Sequence, residues 1–208
     1  MIETWRWFGP SDPISLLKIK QAGASGIVSS LHDMPTGAAW ELESITAHKQ
    51  IIEKAGLTWD VVESVPIHND IKTRTGNYLA YIQNYKRSLE NLAKAGVQTV
   101  CYNFMPVVDW TRTNLSYSLP DNSKALRFEM SDFAAYDIYM LQRDGAENDY
   151  SADILSRAKA SFEKMSVLEK ELLEFNIIAG LPGGEGSYSR DAIKYEIAKF
   201  TQIGVEQF

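Results

Sequence analysis

The sequence predicts an α/β protein built from parallel strand–helix repeats, on three observations. An Ala-Gly pair closes a helix-like stretch at Ala22-Gly23, Ala55-Gly56 and Ala95-Gly96. A run rich in β-branched and aromatic residues follows each pair, within Ala24–Leu31, Leu57–Val65 and Val97–Phe104, as strands prefer. The three glycines stand 33 and 40 residues apart, room for one helix, one strand and their loops. Glycine suits the position after a helix because it takes the left-handed conformation at little steric cost.

The elements follow in order. Thr4–Phe8 reads as the first strand, ahead of Gly9-Pro10, and Asp12-Pro13 is expected to open the first helix as cap and first-turn proline. GIVSSL is the second strand. Ser44–Ala55 carries Ile45, His48, Ile51 and Ile52 at helical spacing. WDVVESV is the third strand, with Glu63 inside it. Tyr78–Ala95 places Tyr78, Tyr81, Ile82, Tyr85, Leu89 and Leu92 on one helical face, and VQTVCYNF is the fourth strand. Strands joined in this way are parallel, with right-handed crossovers.

The rhythm then stops. Residues 1–104 read as four βα units and 105–208 as a loop and helical insertion of the same domain. MPVVDWTRTNLSYSLPDNSKA reads as loop, and Phe133–Met140 fits an edge strand or a short helix. Ser151–Phe175 reads as one charged helical run, with Ser151 and Asp153 placed to cap its start. Pro182–Gly186 reads as a flexible turn and Ser189–Phe200 as an amphipathic helix. Four parallel strands cannot close a barrel. The reading is an open sheet or the first half of something larger.

Composition narrows the function. The net charge of −6 and a pI near 5.2 argue against nucleic acid or an anionic membrane surface as the main partner. Cys101 is the single cysteine, so no internal disulfide forms and a reducing compartment is expected. No apolar run reaches the roughly 18 residues of a membrane helix, and MIETWRWFGP lacks the pattern of a secretory signal. The expectation is a cytoplasmic protein.

Working residues of parallel α/β folds gather at the carboxyl ends of strands. Those ends bring Arg6, Trp7 and Gly9; His32, Asp33 and Met34; Glu63, Pro66 and His68; and Cys101, Tyr102, Asn103, Asp109, Trp110 and Arg112. Each has a plainer reading. His32 reads equally as a loop bridge, and His68 on its own as solvent-exposed. Glu63 in a strand faces a polar end or is paired. His48 is a packed structural histidine, and Cys101 a small core-facing residue. Trp110 and Arg112 are a binding pair or loop packing; an arginine fork suits a carboxylate. Gly180–Gly186 lacks the Gly-Lys-Ser/Thr ending of a phosphate loop, and no GxSxG, CxxC or HExxH occurs.

The strings TWRWFGP, SSLHDMPTG, WDVVESVPIHNDIKTRTGNY and TVCYNFMPVVDWTRT, with LPDNSKALRFE and NIIAGLPGGEG further on, resemble the D-mannonate dehydratase family over nearly the whole chain. The resemblance implies a (β/α)8 TIM barrel related to the xylose-isomerase-like enzymes. This chain would supply its first four units, followed by a mainly helical insertion. It implies loss of water from D-mannonate to give 2-keto-3-deoxy-D-gluconate in hexuronate catabolism, with manganese or iron as cofactor. The family's metal ligands, a set of His, Cys and Asp, come from the second half of its barrel. None of His32, His48, His68 or Cys101 is therefore expected to bind metal. By their place in the matching strings, His32 and His68 are the candidate catalytic residues. Arg6, Trp7, Glu63, Asn103, Trp110 and Arg112 are the candidate substrate-binding residues.

Half a barrel would leave two sheet edges and an apolar inner face uncovered. The 208 residues alone are accordingly expected to be inactive and prone to self-association, and a homo-oligomer fits. Two other readings stay open: a sugar isomerase or epimerase of the same superfamily, and a sugar-acid-binding module or inactive relic.

Overall fold

The structure is a computed structural model that describes residues 1–108, 110–179, 189–204 and 206. The chain divides into two compact units, Met1–Met105 and Pro106–Ile203. The expected turn at Pro182–Gly186 lies outside the described residues, as does Asp109. Among the described residues no helix is long and apolar enough to cross a membrane.

The first unit holds β1 (Thr4–Arg6), α1 (Leu16–Gln21), β2 (Gly26–Ser29), α2 (Leu42–Lys54), β3 (Thr58–Val62), α3 (Asn69–Thr73), α4 (Tyr78–Lys94) and β4 (Thr99–Val100). The four strands form one parallel sheet in the order β1-β2-β3-β4. This is the α/β architecture of the first units of a TIM-like barrel. The Ala-Gly pairs end α1, α2 and α4 as expected, with Gly23, Gly56 and Gly96 at φ of +100°, +73° and +81°. After α2 the Gly56 amide donates to the Glu53 carbonyl and Leu57 to Ile52. These bonds occupy carbonyls that the helix end would otherwise leave unpaired.

Ile45, His48 and Ile52 of α2 are buried at helical spacing and meet Ile19, Ile27, Val62 and Leu92 in one core. Ile51, expected on that face, is exposed. The α4 helix differs more. Its buried face is Ser88, Asn91 and Leu92, because Ser88 Oγ accepts from the Trp40 amide and Asn91 Nδ2 donates to the Trp40 carbonyl. Those two bonds satisfy the backbone of a fully buried tryptophan. Tyr85 and Leu89 instead border an open apolar groove of about 700 Å³ beside Val97 and Val100.

Several expectations need correction. Asp12 does not cap α1; its carboxylate accepts from the amides of Phe8 and Ile14 and tightens the loop after β1. Ser15 is the cap. Glu63 is not inside β3 but the first residue past it, and its amide donates to the Ser29 carbonyl. The polar stretch after Pro66 forms the short helix α3.

In the second unit the stretch read as loop contains a hairpin, β5 (Asn114–Ser118) with β6 (Lys124–Arg127), paired antiparallel. Its signal was the alternation in Asn114–Ser118, where Leu115 and Tyr117 are half-buried between exposed neighbours. The turn is closed by Asn122 at φ +65° and by Asp121, which accepts from the Ser123 amide. Phe133–Met140 is helical: α5 (Met130–Ala135) runs into a π-helical turn at Tyr136–Leu141. The single run from Ser151 is two helices, α6 (Ala152–Lys164) and α7 (Val167–Ala179). Ser166 divides them. Its hydroxyl accepts from the Glu169 amide while Glu169 accepts from the Ser166 amide and hydroxyl, a reciprocal cap that starts a helix afresh. Ser189 caps α8 (Arg190–Thr201). Tyr136, Leu141, Leu173, Ile177, Ile178 and Ile193 make this unit's principal core.

Candidate active site

Arg6 ends β1, and its Nη1 lies 2.9 Å from Oε2 of Glu63, just past β3. Since β2 separates those strands, the ion pair spans the carboxyl end of the middle strand. The Phe8 ring faces two groups: the Arg6 guanidinium, 5.1 Å from its centroid, and the His32 ring, 5.7 Å away. A cavity of about 220 Å³ opens beside His32, bordered by Phe8, Pro10, Met34 and His48. Both ring nitrogens of His32 are shielded from solvent, with the Trp7 backbone as their polar neighbour, and Nε of Arg6 is shielded without a hydrogen-bond partner. Burial, and next the Arg6 charge, hold the His32 pKa below its ordinary value, so the imidazole is neutral at pH 7.

His48 lies behind this cavity and is buried, as expected of a structural histidine. It stacks on Trp7 at 5.4 Å and meets the edge of Trp59 at 4.8 Å. Its Nε2 is 3.0 Å from Ser29 Oγ, which donates to the Trp7 carbonyl at 2.7 Å. Trp7 is only 3% exposed; its ring belongs to the core and supports His48.

His68 is not a free surface residue. It caps α3, its Nδ1 accepting from the Asp70 amide at 3.0 Å, and its ring stacks on Tyr81 at 4.0 Å. A nitrogen that accepts an amide proton carries none itself, so neutral His68 keeps its proton on Nε2. Asn103, beyond β4, donates to Ser64 Oγ at 3.4 Å, and Ser30 donates to the Ser64 carbonyl at 2.7 Å. The ends of β2, β3 and β4 are thereby tied together. The serines at 29, 30 and 64 escaped the sequence reading, although Ser29-Ser30 closing an apolar strand was a visible signal. Trp110 and Arg112 belong to the second unit, where Arg112 Nη1 donates to the carbonyls of Trp110 and Thr111.

The first unit thus gathers Arg6, His32 and Glu63 around Phe8, and ties Asn103 to the same strand ends through Ser64. This arrangement can bind an anion and accept or donate a proton. Metal binding is another matter. Among the described residues no three His, Cys, Asp or Glu side chains stand together as a metal would require, so these residues do not fit the manganese or iron centre that the resemblance implies.

The sequence pattern of the D-mannonate dehydratase (UxuA) family matches residues 1–208. The mannonate dehydratase of Saccharophagus degradans is 68% identical over 208 residues, 100% of this chain and 52% of that protein. That of a Marinomonas species is 53% identical over 203 residues, 98% of this chain and 52% of that protein. The crystal structure of mannonate dehydratase from Streptococcus suis serotype 2 superposes with a TM-score of 0.61 at 39% identity. That match covers 88% of this chain and 50% of the crystallised one. The chain spans about half the length of the curated relatives it matches. On this ground the chain belongs to the D-mannonate dehydratase family.

Proposed function

We propose that this chain forms part of a hydro-lyase that converts D-mannonate to 2-keto-3-deoxy-D-gluconate and water. The observation that carries the reading is the 68% identity to a mannonate dehydratase across all 208 residues. The polar cluster at the strand ends supports it. In the reaction the C2 proton leaves, its bonding pair forms the C2–C3 double bond, and the C3 hydroxyl departs as water after protonation. The resulting enol then becomes the 2-keto product. Such a site needs a proton acceptor beside C2, a donor beside the leaving hydroxyl, and groups that hold the polyol and the carboxylate.

His32, neutral and bordering the cavity beside Phe8, suits the acceptor role. His68, with its proton on Nε2, suits the donor role. Arg6, Glu63, Asn103, Trp110 and Arg112 are assigned to the substrate pocket, and Trp7 to its support. The manganese or iron of the family would be held by residues other than those described, and none of these roles runs through it. The acidic balance and single cysteine support a cytoplasmic setting, and the open groove beside β4 is in keeping with a homo-oligomer.

The test is turnover of D-mannonate by the protein expressed from its complete gene. His32→Ala and His68→Ala are each expected to lower kcat at least tenfold, the scale of lost acid–base assistance being about 10²–10⁴. Normal turnover in both variants would remove the two histidines from the mechanism. Isomerisation of an aldose with no dehydration of mannonate would replace the reading with a sugar isomerase.

A further inference from the structure

Arg6 is only half used by the protein. Its ion pair with Glu63 is closest at Nη1, and among the described residues no hydrogen bond to Nε or Nη2 is found. Nε is shielded and unpaired. The edge formed by Nε and Nη2, the one that matches two carboxylate oxygens, therefore has no hydrogen-bond partner within the described residues. Glu63 and the Phe8 ring hold the guanidinium from two sides. The two side chains of the pair remain 32% and 38% exposed, so a solute can reach them. His32 packs against the same Phe8 ring, 5.7 Å between ring centroids. Shielded polar atoms ordinarily have partners, and an unpaired Nε on a side chain that solvent reaches marks the place of a polar ligand.

We infer that Arg6 recognises the carboxylate of the sugar acid through its unpaired Nε–Nη2 edge, and that Glu63 is a positioning residue that aims Arg6 rather than a substrate contact. The inference rests on the sugar-acid reading above and deepens it. A carboxylate would be repelled by Glu63 directly, whereas an Arg6 already fixed by Glu63 loses little conformational freedom on binding.

The test uses the protein expressed from its complete gene, with D-mannonate and D-mannitol as calorimetric probes. Mannitol has the same six-carbon chain without the carboxylate. The wild type is expected to prefer mannonate, and Arg6→Gln to erase that preference with a loss of about ten- to a hundredfold in affinity, the value of a charge-assisted bond. Arg6→Lys, which keeps the charge but not the fork, recovers only part. Glu63→Gln raises KM with kcat little changed, and the double variant Arg6→Gln/Glu63→Gln is no weaker than Arg6→Gln alone, because Glu63 acts through Arg6. Full preference for mannonate in Arg6→Gln overturns the assignment, and additive losses in the double variant overturn the role of Glu63. Should Arg6→Gln fail to fold, undiminished preference in Arg6→Lys overturns it instead. A wild type that prefers mannonate yet never dehydrates it would sink the hydro-lyase reading and leave Arg6 as the carboxylate group.

Discussion

His48 donates to Ser29. The Ser29 hydroxyl has one proton, which goes to the Trp7 carbonyl at 2.7 Å, so the 3.0 Å contact with His48 requires the proton to sit on His48 Nε2. The tautomer of a buried imidazole is thus set by a serine at the end of β2. Burial, with His32 as the second cause, lowers the His48 pKa to about 4.

Acid sensitivity follows. The folded chain keeps His48 neutral down to about pH 4, while in the unfolded chain an imidazole charges near 6.5. Between these values the unfolded state binds more protons, so stability is complete above about pH 6.5 and falls as pH drops towards 4, by a few kcal/mol. His32, also lowered, acts in the same direction. Urea unfolding at pH 7.5 and pH 5 should show a large loss in the wild type and a smaller one in His48→Gln, which can still donate to Ser29. Equal losses in the two proteins would contradict this account.

Gly37 controls the seat of His68. At φ +85°, an added Cβ would stand 2.7 Å from Tyr81 Cδ1 and 3.1 Å from His68 Cδ2. Gly37→Ala is expected to cost about 1–3 kcal/mol through backbone strain and displacement of the stacked pair. The imidazole NMR signal of His68 should move with it. Since the chain has three histidines, that signal is readily assigned, and an unmoved signal with unchanged stability would refute the prediction.

The second unit depends on Asp137. This buried carboxylate accepts from Arg143 Nε at 3.0 Å, Arg143 Nη2 at 2.7 Å and the Tyr150 hydroxyl at 2.8 Å. Asp137→Ala leaves Arg143 with Asp149 alone and should cost about 3 kcal/mol, against about 1 kcal/mol for Tyr150→Phe. Limited proteolysis within Pro106–Ile203 should quicken in that order. Comparable digestion of Asp137→Ala and wild type would show that the network is dispensable.

Ser166 is the point where one helix becomes two. Ser166→Ala should lower stability by about 1 kcal/mol, as loss of a helix N-cap does, with faster hydrogen exchange at the first amides of α7. Ser166→Asp, which restores an acceptor, should recover most of it. Exchange rates indifferent to both changes would argue against the cap.

The sequence by itself determined the repeat. Helix ends marked by Ala22-Gly23, Ala55-Gly56 and Ala95-Gly96, and the strands after them, are local matters of backbone conformation and side-chain shape, so they are legible without the fold. So was the burial of His48, from its mid-helix place between Ile45 and Ile51, although Ile51 itself is exposed. The Ser166–Glu169 cap and the alternation in Asn114–Ser118 were also local but were masked by stronger signals, a long charged run and a loop-like composition. Tertiary structure alone decided the rest. Residues 6 and 63 are 57 positions apart, and only the β1-β2-β3 order brings the guanidinium to the carboxylate. The same order put Trp7 into the core and gave His32 its neighbours Phe8 and Arg6. Charge pairing, shielding and tautomer depend on distances in space, and the parallel sheet is what converts spacings along the chain into those distances.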